Sequence, residues 1–304
     1  MNKLSKEKLG RLLTAMVTPF DARGEVDYQQ ARRLALSLLD SGSDGVVVSG
    51  TTGESPTLSR EEKLRLFAEM KSTLGNRGAV VAGTGSYNTK EDQELTREAE
   101  KTGVDACLLV VPYYNRPTQE GLWEHFKAIA QSTTLPCILY NVPSRTVTNL
   151  AADTVIKLSR IDNIVGVKEA SGNLGQIAEI IHRTEENFLV YSGNDSDTFP
   201  ILALGGYGVI SIASHLVGMQ IKDMMEKFLD GKSQEAARLH RHLLPLVNAL
   251  FIVSNPVPVK WALNYVGFSV GKPRLPLTEL DEKSADLIQA TLKDYKIDLS
   301  IPKG

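Results

Sequence analysis

The sequence has few of the residues on which disulfide frameworks and metal sites depend. Its only two cysteines, Cys107 and Cys137, lie inside apolar runs, so we expect small buried hydrophobes rather than a disulfide. The five histidines are scattered and form no His-x-x-x-His pair, and no Cys-x-x-Cys or carboxylate-rich loop accompanies them. The sequence therefore predicts no metal site.

Strong charge and long hydrophobic runs are also lacking. A net charge of −2 over 304 residues, with no basic cluster, indicates no nucleic-acid partner. The chain has no run of 18 apolar residues and no apolar leader, which predicts neither a membrane span nor a secretory signal. We expect a soluble, cytoplasmic protein whose polar first eight residues form a loose tail.

Short apolar runs instead recur every 20 to 35 residues or so, as expected for strands buried on both faces. They cover 12–18, 45–49, 79–83, 106–111, 137–141, 164–168, 188–192 and 208–213. Amphipathic helical patterns separate them, at 28–41, 59–74, 90–102, 119–132, 152–159, 173–185 and 197–204. Ser59 and Glu62 form a capping box at the start of one helix.

Eight strands alternating with helices predict an α/β fold, a (β/α)8 TIM barrel. The alternative is an open doubly wound sheet, which usually carries a Gly-rich turn after its first strand; Thr18-Pro19-Phe20 offers none. Four more helices are predicted at 218–230, 234–253, 257–266 and 279–295. We therefore predict a barrel with the active site over 1–231 and a C-terminal helical region over 232–304.

Lys168 ends the sixth apolar run, where a charged amine needs an explanation. Burial of an unpaired ammonium lowers its pKa by up to roughly 3–5 units. A lysine deprotonated in this way is a nucleophile that forms a Schiff base with a carbonyl. The alternative is a lysine that simply reaches solvent where the strand ends, which is the commoner case for such a stretch alone.

Polar residues at other strand ends support the first interpretation, since barrel enzymes place catalytic groups there. The second strand ends in glycines that flank Thr51 and Thr52, a loop whose backbone N–H groups can hold a carboxylate, although a simple turn fits as well. Tyr140 ends the strand before Lys168, where its phenol can move a proton, unless it only packs. Arg145 follows, suited to a substrate carboxylate or to a surface salt bridge.

Five motifs occur together in this order: Gly50-Thr51-Thr52-Gly53-Glu54, Pro112-Tyr113-Tyr114-Asn115, Tyr140-Asn141-Val142-Pro143-Ser144-Arg145-Thr146, Val167-Lys168-Glu169-Ala170 and Ser192-Gly193-Asn194-Asp195. Over essentially the whole chain the sequence resembles the dihydrodipicolinate synthase family of pyruvate-dependent Schiff-base aldolases and lyases. The resemblance implies that Lys168 forms an imine with pyruvate and that the derived enamine adds to aspartate semialdehyde. Cyclisation then releases 4-hydroxy-tetrahydrodipicolinate, a step of lysine and diaminopimelate biosynthesis.

The resemblance also implies residue roles. Thr51 and Thr52 hold the pyruvate carboxylate, and Thr51 forms a proton relay with Tyr140 and Tyr114. Because Tyr114 reaches into the neighbouring subunit in this family, the resemblance implies at least a dimer, and typically a tetramer built as a dimer of dimers. Arg145 binds the semialdehyde carboxylate. The backbone carbonyls of Gly193 and Ile210 line the pocket, and neither a metal nor an organic cofactor is needed.

The acceptor substrate is not decided by Lys168, because N-acetylneuraminate lyases and 2-keto-3-deoxy sugar acid aldolases share it. Those sialic acid lyases lack the arginine that matches Arg145, and so the Thr51-Thr52 pair and Arg145 favour the synthase. A catalytically dead binding protein is a further alternative. Loss of the lysine or of the threonine pair would indicate it, and this chain keeps both.

Regulation is where the sequence departs from the family pattern. Lysine-inhibited relatives bind lysine at the dimer interface, and this chain matches that site at Ser55, Glu91 and Tyr113. It differs at the remaining positions, where it has Pro56, Arg60, Lys63 and Tyr87. Added cations repel the ammonium groups of lysine, and the tyrosine is bulkier than the family's asparagine. We therefore expect weak or absent inhibition by lysine.

Overall fold

The computed structural model describes residues 6–301 and contains a closed barrel of eight parallel strands. The strands are β1 (Leu12–Ala15), β2 (Gly45–Val48), β3 (Ala79–Gly83), β4 (Ala106–Val110), β5 (Cys137–Asn141), β6 (Ile164–Glu169), β7 (Leu189–Ser192) and β8 (Gly208–Ser211). They are hydrogen-bonded in sequence order, and β8 pairs with β1 to close the barrel. The predicted TIM barrel is confirmed, and the open sheet is wrong because no strand of the barrel is left at an edge.

The strand predictions differ from the structure mainly at the carboxyl ends. The first run was expected to continue to residue 18, whereas β1 ends at Ala15. Met16 and Val17 stay fully buried after the chain has left the sheet. Apolar sequence records burial rather than strand hydrogen bonding, so a run of buried residues overestimates the length of a strand.

Helices surround the barrel and continue beyond it. They are α1 (Lys6–Leu9), α2 (Tyr28–Asp40), α3 (Arg60–Leu74), α4 (Thr89–Lys101), α5 (Gln119–Ala130), α6 (Pro143–Thr146), α7 (Ala152–Leu158), α8 (Leu174–Arg183), α9 (Thr198–Ala203), α10 (Ser214–Leu229), α11 (Ser233–Ala249), α12 (Val257–Tyr265) and α13 (Glu282–Leu292). None of the helices described here is both long and apolar enough to cross a membrane.

Two helical features differ from the predictions, and a third confirms one of them. The predicted loose tail is a helical turn from residue 6, and its first five residues lie outside the described range. Helix α10 begins at Ser214 rather than at residue 218, with non-helical backbone at Val217. The capping box is confirmed, since the Glu62 amide donates to Ser59 Oγ at 3.2 Å and the Ser59 amide donates to Glu62 Oε2 at 2.8 Å.

The segment after α11 returns to the barrel mouth and is bonded to the loop that follows β2. Lys260 Nζ donates to Glu54 Oε1 at 2.7 Å, and both side chains are 1% exposed. The Arg274 guanidinium binds Glu62 with two hydrogen bonds, of 2.9 and 2.6 Å. The C-terminal helices therefore hold the Thr51–Thr52 loop, while a division of the chain at residue 231 stays a prediction.

Candidate active site

The register of the barrel brings Lys168 and Tyr140 together at one end. Tyr140 of β5 pairs directly with Lys168 of β6, which in turn pairs with Tyr191 of β7. Lys168 Nζ lies 4.3 Å from the centre of the Tyr140 ring, within the range of a cation–π contact. The two residues that the sequence placed on neighbouring strand ends are therefore in contact.

Lys168 is almost fully buried, with 5% of its surface exposed. Burial lowers the pKa of its ammonium group to about 8, with the Asp195 carboxylate opposing this shift and the Arg145 guanidinium adding to it. At pH 7 a pKa of about 8 leaves roughly one lysine in ten as the free amine, against about one in three thousand for an ordinary lysine. The alternative of a solvent-exposed lysine at the strand end is wrong.

Asp195 is the buried carboxylate whose charge acts on Lys168. It accepts hydrogen bonds from the Ser211 hydroxyl and from the backbone N–H groups of Ile212 at 3.0 Å and Ala213 at 3.3 Å. It therefore ties the loop after β7 to the end of β8. The sequence placed Asp195 in a polar motif but did not single it out, although a carboxylate one residue past the Gly-Asn pair could have done so.

A cavity of about 200 Å³ opens above Tyr140 at the carboxyl ends of the strands. Its wall contains three of the expected catalytic and substrate-binding residues, Thr51, Tyr140 and Arg145. Lys168 and Thr52 are buried outside the wall itself, but Lys168 touches the Tyr140 ring that forms part of it. A small anionic carbonyl compound bound in this cavity would lie next to the phenol, with the amine one side chain deeper.

The environment of Tyr140 suits a proton donor. Burial raises the pKa of its phenol, although the Arg145 charge and a hydrogen bond with the Thr51 hydroxyl partly offset the shift. The phenol therefore stays protonated near neutral pH and has a proton to give.

Arg145 and Thr52 share one partner in the C-terminal region. Arg145 lies on the short helix α6, which begins at Pro143, and its Nη2 donates to the Asn255 carbonyl at 3.3 Å. Asn255 Nδ2 donates to the Thr52 hydroxyl at 3.0 Å, and Thr52 is 3% exposed. Asn255 could not be found from the sequence, because nothing in a local pattern links it to a residue 203 positions earlier.

Gly193 and Ile210 lie where packing is tight. A Cβ at Gly193 would come within 2.7 Å of the Ala170 Cβ, so glycine is required next to β6. Ile210 is fully buried in β8 and pairs with Leu13. Neither residue lines the cavity above Tyr140, and the pocket role expected for their carbonyls stays a prediction.

Comparison with known proteins identifies the family of this chain. A model of the dihydrodipicolinate synthetase family matches residues 8–295. This chain belongs to that family. It is 65% identical over 295 residues to a 4-hydroxy-tetrahydrodipicolinate synthase of Dehalococcoides mccartyi, covering 97% of this chain and 99% of the relative. The synthase of Moorella thermoacetica is 56% identical over 285 residues, which are 94% of this chain and 98% of that relative.

The fold agrees with solved structures of the same family. A crystal structure of dihydrodipicolinate synthase from Cyanidioschyzon merolae with lysine bound superposes with a TM-score of 0.93 at 47% identity. The match covers 94% of this chain and 98% of that one. Such similarity at full length means that the barrel and its C-terminal helices are both shared.

Tyr114, expected in the proton relay of a family member, lies away from the cavity of its own chain. Its backbone φ is 73° and its side chain is 93% exposed. Tyr113 instead lines the cavity and packs edge-on against Tyr87, with ring centres 5.1 Å apart. Tyr114 is therefore not part of the cavity wall in its own chain, and its place in the relay stays a prediction.

The residues that match the family's lysine site lie in the segments that follow β2, β3 and β4. Ser55 and Tyr113 line the cavity, and Glu91 lies in the first turn of α4, where it accepts from Asn88 Nδ2 at 2.7 Å. Burial lowers the pKa of Lys63, and Asp92 and Glu91 oppose the shift through their negative charge. The positive charge of Lys63 therefore acts on the Glu91 carboxylate, while the lysine site itself stays a prediction.

A buried polar network behind the strand ends was not foreseen from the sequence. Asn141 donates to Glu169 through Nδ2, and its Oδ1 accepts from the Leu150 amide at 2.9 Å. Burial raises the pKa of Glu169 to about 7, although hydrogen bonds from Ser171 and Asn141 oppose the shift. This network joins the residues that follow Tyr140 and Lys168 and so fixes the spacing of β5 and β6.

Among the described residues, no group of three or more His, Cys, Asp or Glu side chains is placed to hold a metal ion.

Proposed function

We propose that this enzyme condenses pyruvate with L-aspartate 4-semialdehyde through a Schiff base on Lys168, giving 4-hydroxy-tetrahydrodipicolinate for lysine and diaminopimelate biosynthesis. The observation that carries the proposal is the buried Lys168 amine, its pKa lowered to about 8, in contact with the Tyr140 ring. A neutral amine beside a protonated phenol is the pair of groups that imine formation requires.

The chemistry follows from these two groups. The Lys168 amine adds to the ketone carbon of pyruvate, and the resulting hydroxyl leaves as water after Tyr140 supplies a proton. The Tyr140 phenolate left by that step takes a methyl proton, which converts the imine to an enamine. The enamine carbon attacks the aldehyde of the second substrate, and Tyr140 returns the proton to the aldehyde oxygen, which becomes a hydroxyl. The amino group of that substrate then displaces Lys168 as the ring closes, which returns the free amine. The protonated imine accepts the electron pair released with the methyl proton, and the enamine gives it to the aldehyde carbon, so the scheme requires no metal or organic cofactor.

Two carboxylates have to be held during this reaction. Thr51 lines the cavity beside Tyr140, and Thr52 is fixed next to it in the loop after β2. In our proposal these residues hold the pyruvate carboxylate. Arg145, exposed at the mouth and lining the same cavity, holds the carboxylate of the semialdehyde, for which its planar guanidinium is well suited.

Replacing Arg145 by alanine tests the choice of the second substrate. We expect the KM for aspartate semialdehyde to rise by roughly 10-fold to 100-fold, because a charge-assisted hydrogen bond to a carboxylate is lost. Arg145→Lys keeps the charge but not the paired hydrogen-bond geometry of the guanidinium. Its KM for aspartate semialdehyde should lie between those of the unmodified enzyme and Arg145→Ala. The assay should be run at a pH above the pKa of Lys168. Arg145 also lowers that pKa, so its removal would reduce the fraction of free amine at lower pH.

The pyruvate concentration for half-maximal imine formation serves as the control and should stay nearly constant. An unchanged semialdehyde KM in Arg145→Ala would contradict the assignment. Turnover with N-acetylmannosamine but not with the semialdehyde would favour an N-acetylneuraminate lyase, and turnover with an aldose-derived aldehyde a sugar acid aldolase. A protein that binds pyruvate without forming an imine would be the dead binding protein.

Tyr114 completes the relay from a second subunit in our proposal, and its 93% exposure supports this. Tyr114→Phe should lower kcat by at least tenfold and change the pyruvate KM little, because only the proton relay is affected. Co-expression with Lys168→Ala gives the sharper test. In a mixed dimer one site has both Lys168 and the partner's Tyr114, so about a quarter of all sites should regain activity under random pairing. No recovery in mixed dimers would mean that the phenol acts within its own chain.

We further propose that two such dimers form a tetramer in the cytoplasm. The family resemblance supports this, since its members typically assemble as two tight dimers. The free buried thiols of Cys107 and Cys137 suit a reducing compartment.

Lysine should inhibit this enzyme weakly or not at all. Lys63 already applies a positive charge to Glu91, and Tyr87 fills space against Tyr113. Titration of the purified enzyme with lysine should give no half-inhibition below the millimolar range. The double variant Lys63→His, Tyr87→Asn should gain sensitivity, since it removes one added cation and the bulky tyrosine, while Arg60 is already paired with Glu98 at 2.9 Å. Half-inhibition of the unmodified enzyme well below millimolar would contradict the expectation.

A further inference from the structure

Asn255 holds two parts of the substrate site at once, although it lies in the C-terminal region. Its carbonyl accepts from Arg145 Nη2 at 3.3 Å, and its carboxamide Nδ2 donates to Thr52 Oγ1 at 3.0 Å. The carboxamide is 95% buried, since Asn255 is 5% exposed. One residue therefore touches both groups to which the proposed function assigns a substrate carboxylate.

Stability alone does not account for a carboxamide in this position. Thr52 is the hydrogen-bond partner that the structure shows for Nδ2, and Oδ1 is buried without a partner among the described residues. Burying a carboxamide with an unsatisfied oxygen costs free energy that an apolar side chain of similar size would avoid. The hydrogen bond from Nδ2 to Thr52 is the contact that such an apolar side chain could not supply.

The direction of this hydrogen bond determines what the Thr52 hydroxyl can bind. A threonine hydroxyl has one proton to donate and can accept from other groups. Because Nδ2 is the donor in this bond, Thr52 Oγ1 is the acceptor and keeps its own proton for another partner. A carboxylate can only accept, so a hydroxyl whose proton is free is the one that can bind it.

We infer that Asn255 is a positioning residue which, by donating to Thr52, directs the Thr52 hydroxyl proton toward the carboxylate of the keto acid. The inference rests on the proposed function, in which Thr52 binds that carboxylate. The neighbouring Lys260–Glu54 ion pair, 2.7 Å long, anchors the same loop and keeps Thr52 at a fixed distance from Asn255. The C-terminal region thus contributes to substrate binding without touching substrate.

Asn255→Asp tests the direction of the hydrogen bond to Thr52. It replaces the donor by an acceptor and hardly changes the shape of the side chain. An ionised aspartate accepts a hydrogen bond from the Thr52 hydroxyl, which occupies its proton, and places a negative charge near the substrate carboxylate. We expect the pyruvate concentration for half-maximal borohydride-trapped adduct to rise roughly 10-fold to 100-fold. The amount of adduct at saturation should stay at one per subunit, because Lys168 and Tyr140 are untouched.

Two further readouts separate this role from a general structural one. Lowering the pH should bring the half-saturating pyruvate concentration of Asn255→Asp closer to that of the unmodified enzyme, because a protonated aspartate donates to Thr52 as asparagine does. Methyl pyruvate, which has the ketone but no carboxylate, should bind to both proteins within about threefold. Asn264→Asp, on α12 and bonded through Nδ2 to the Gly271 carbonyl, is the matched control and should behave like the unmodified enzyme.

Asn255→Leu is the second variant and lacks any donor. It should raise the half-saturating pyruvate concentration by roughly 3-fold to 10-fold with no dependence on pH. Normal pyruvate saturation in either folded variant would overturn the inference, as would failure of both variants to fold, which would make Asn255 a packing residue. If the unmodified enzyme forms no pyruvate adduct, the proposed function fails first and the inference with it.

Discussion

Replacing Lys168 by alanine should abolish the pyruvate adduct and lower turnover by at least about ten-thousandfold, to background. The reason is that covalent catalysis has no substitute once its nucleophile is gone. The fold should persist, because a shorter apolar side chain replaces a buried amine whose charged form is disfavoured there. Borohydride trapping with pyruvate, followed by mass measurement of the intact chain, gives the result directly.

Lys260 makes this test specific. It is also buried, and burial lowers its pKa to about 8 as well, against the opposing effect of Glu54. Its Nζ, however, is bonded to Glu54 at 2.7 Å and to the Lys272 carbonyl at 3.2 Å. Peptide mapping of the unmodified enzyme should therefore find the reduced adduct on Lys168 and none on Lys260. An adduct that survives in Lys168→Ala would assign the chemistry to another lysine.

The rate of adduct formation should also depend on pH in a specific way. Only the free amine attacks a ketone, so the rate should rise about tenfold per pH unit below the Lys168 pKa and level off above about 8. A lysine with an ordinary pKa would keep gaining free amine up to about 10.4. A rate that still rises steeply at pH 9 would contradict the lowered pKa.

Tyr140→Phe should lower kcat by roughly 100-fold to 10,000-fold, the usual contribution of a positioned acid–base group. The ring that packs against the Lys168 amine remains, so the loss isolates the hydroxyl and its proton. Pyruvate binding should change much less than kcat, because the carboxylate contacts are on Thr51 and Thr52. Single-turnover measurement of imine formation separates the two effects.

Tyr191→Phe is the matched control for that variant. Tyr191 pairs with Lys168 from the other side, but its hydroxyl donates to the Gly10 carbonyl at 2.8 Å, away from the cavity. Its loss should cost about 1 kcal/mol of unfolding free energy and leave kcat within about threefold. Equal losses of kcat in the two variants would remove Tyr140 from its role as the proton donor.

The sequence was sufficient for the barrel and for the centre of the site. Strands covered on both faces are continuously apolar, so β3 and β5 were predicted to the residue. Consecutive parallel strands are neighbours in a barrel, which is why Tyr140 and Lys168 could be placed together. Strand ends were harder, since Met16 and Val17 are as buried outside β1 as the residues within it.

Contacts between distant parts of the chain could not be predicted in this way. The bonds from Asn255 to Thr52 and from Lys260 to Glu54 join residues 203 and 206 positions apart. No periodicity records such pairs, because they depend on how the C-terminal helices fold back over the barrel mouth. The exposure of Tyr114 was expected only from the family resemblance and not from any local pattern, and in our proposal its partner lies in another subunit.

The measurement that tests the central claim most directly is turnover of pyruvate and aspartate semialdehyde by the purified protein with no metal added. We predict steady turnover that also requires Lys168, with product released and the free lysine regenerated. No condensation of these substrates, while pyruvate is still trapped on Lys168, would contradict the synthase assignment and move the enzyme to another aldolase of the same chemistry. Absence of both turnover and adduct would contradict the imine mechanism itself.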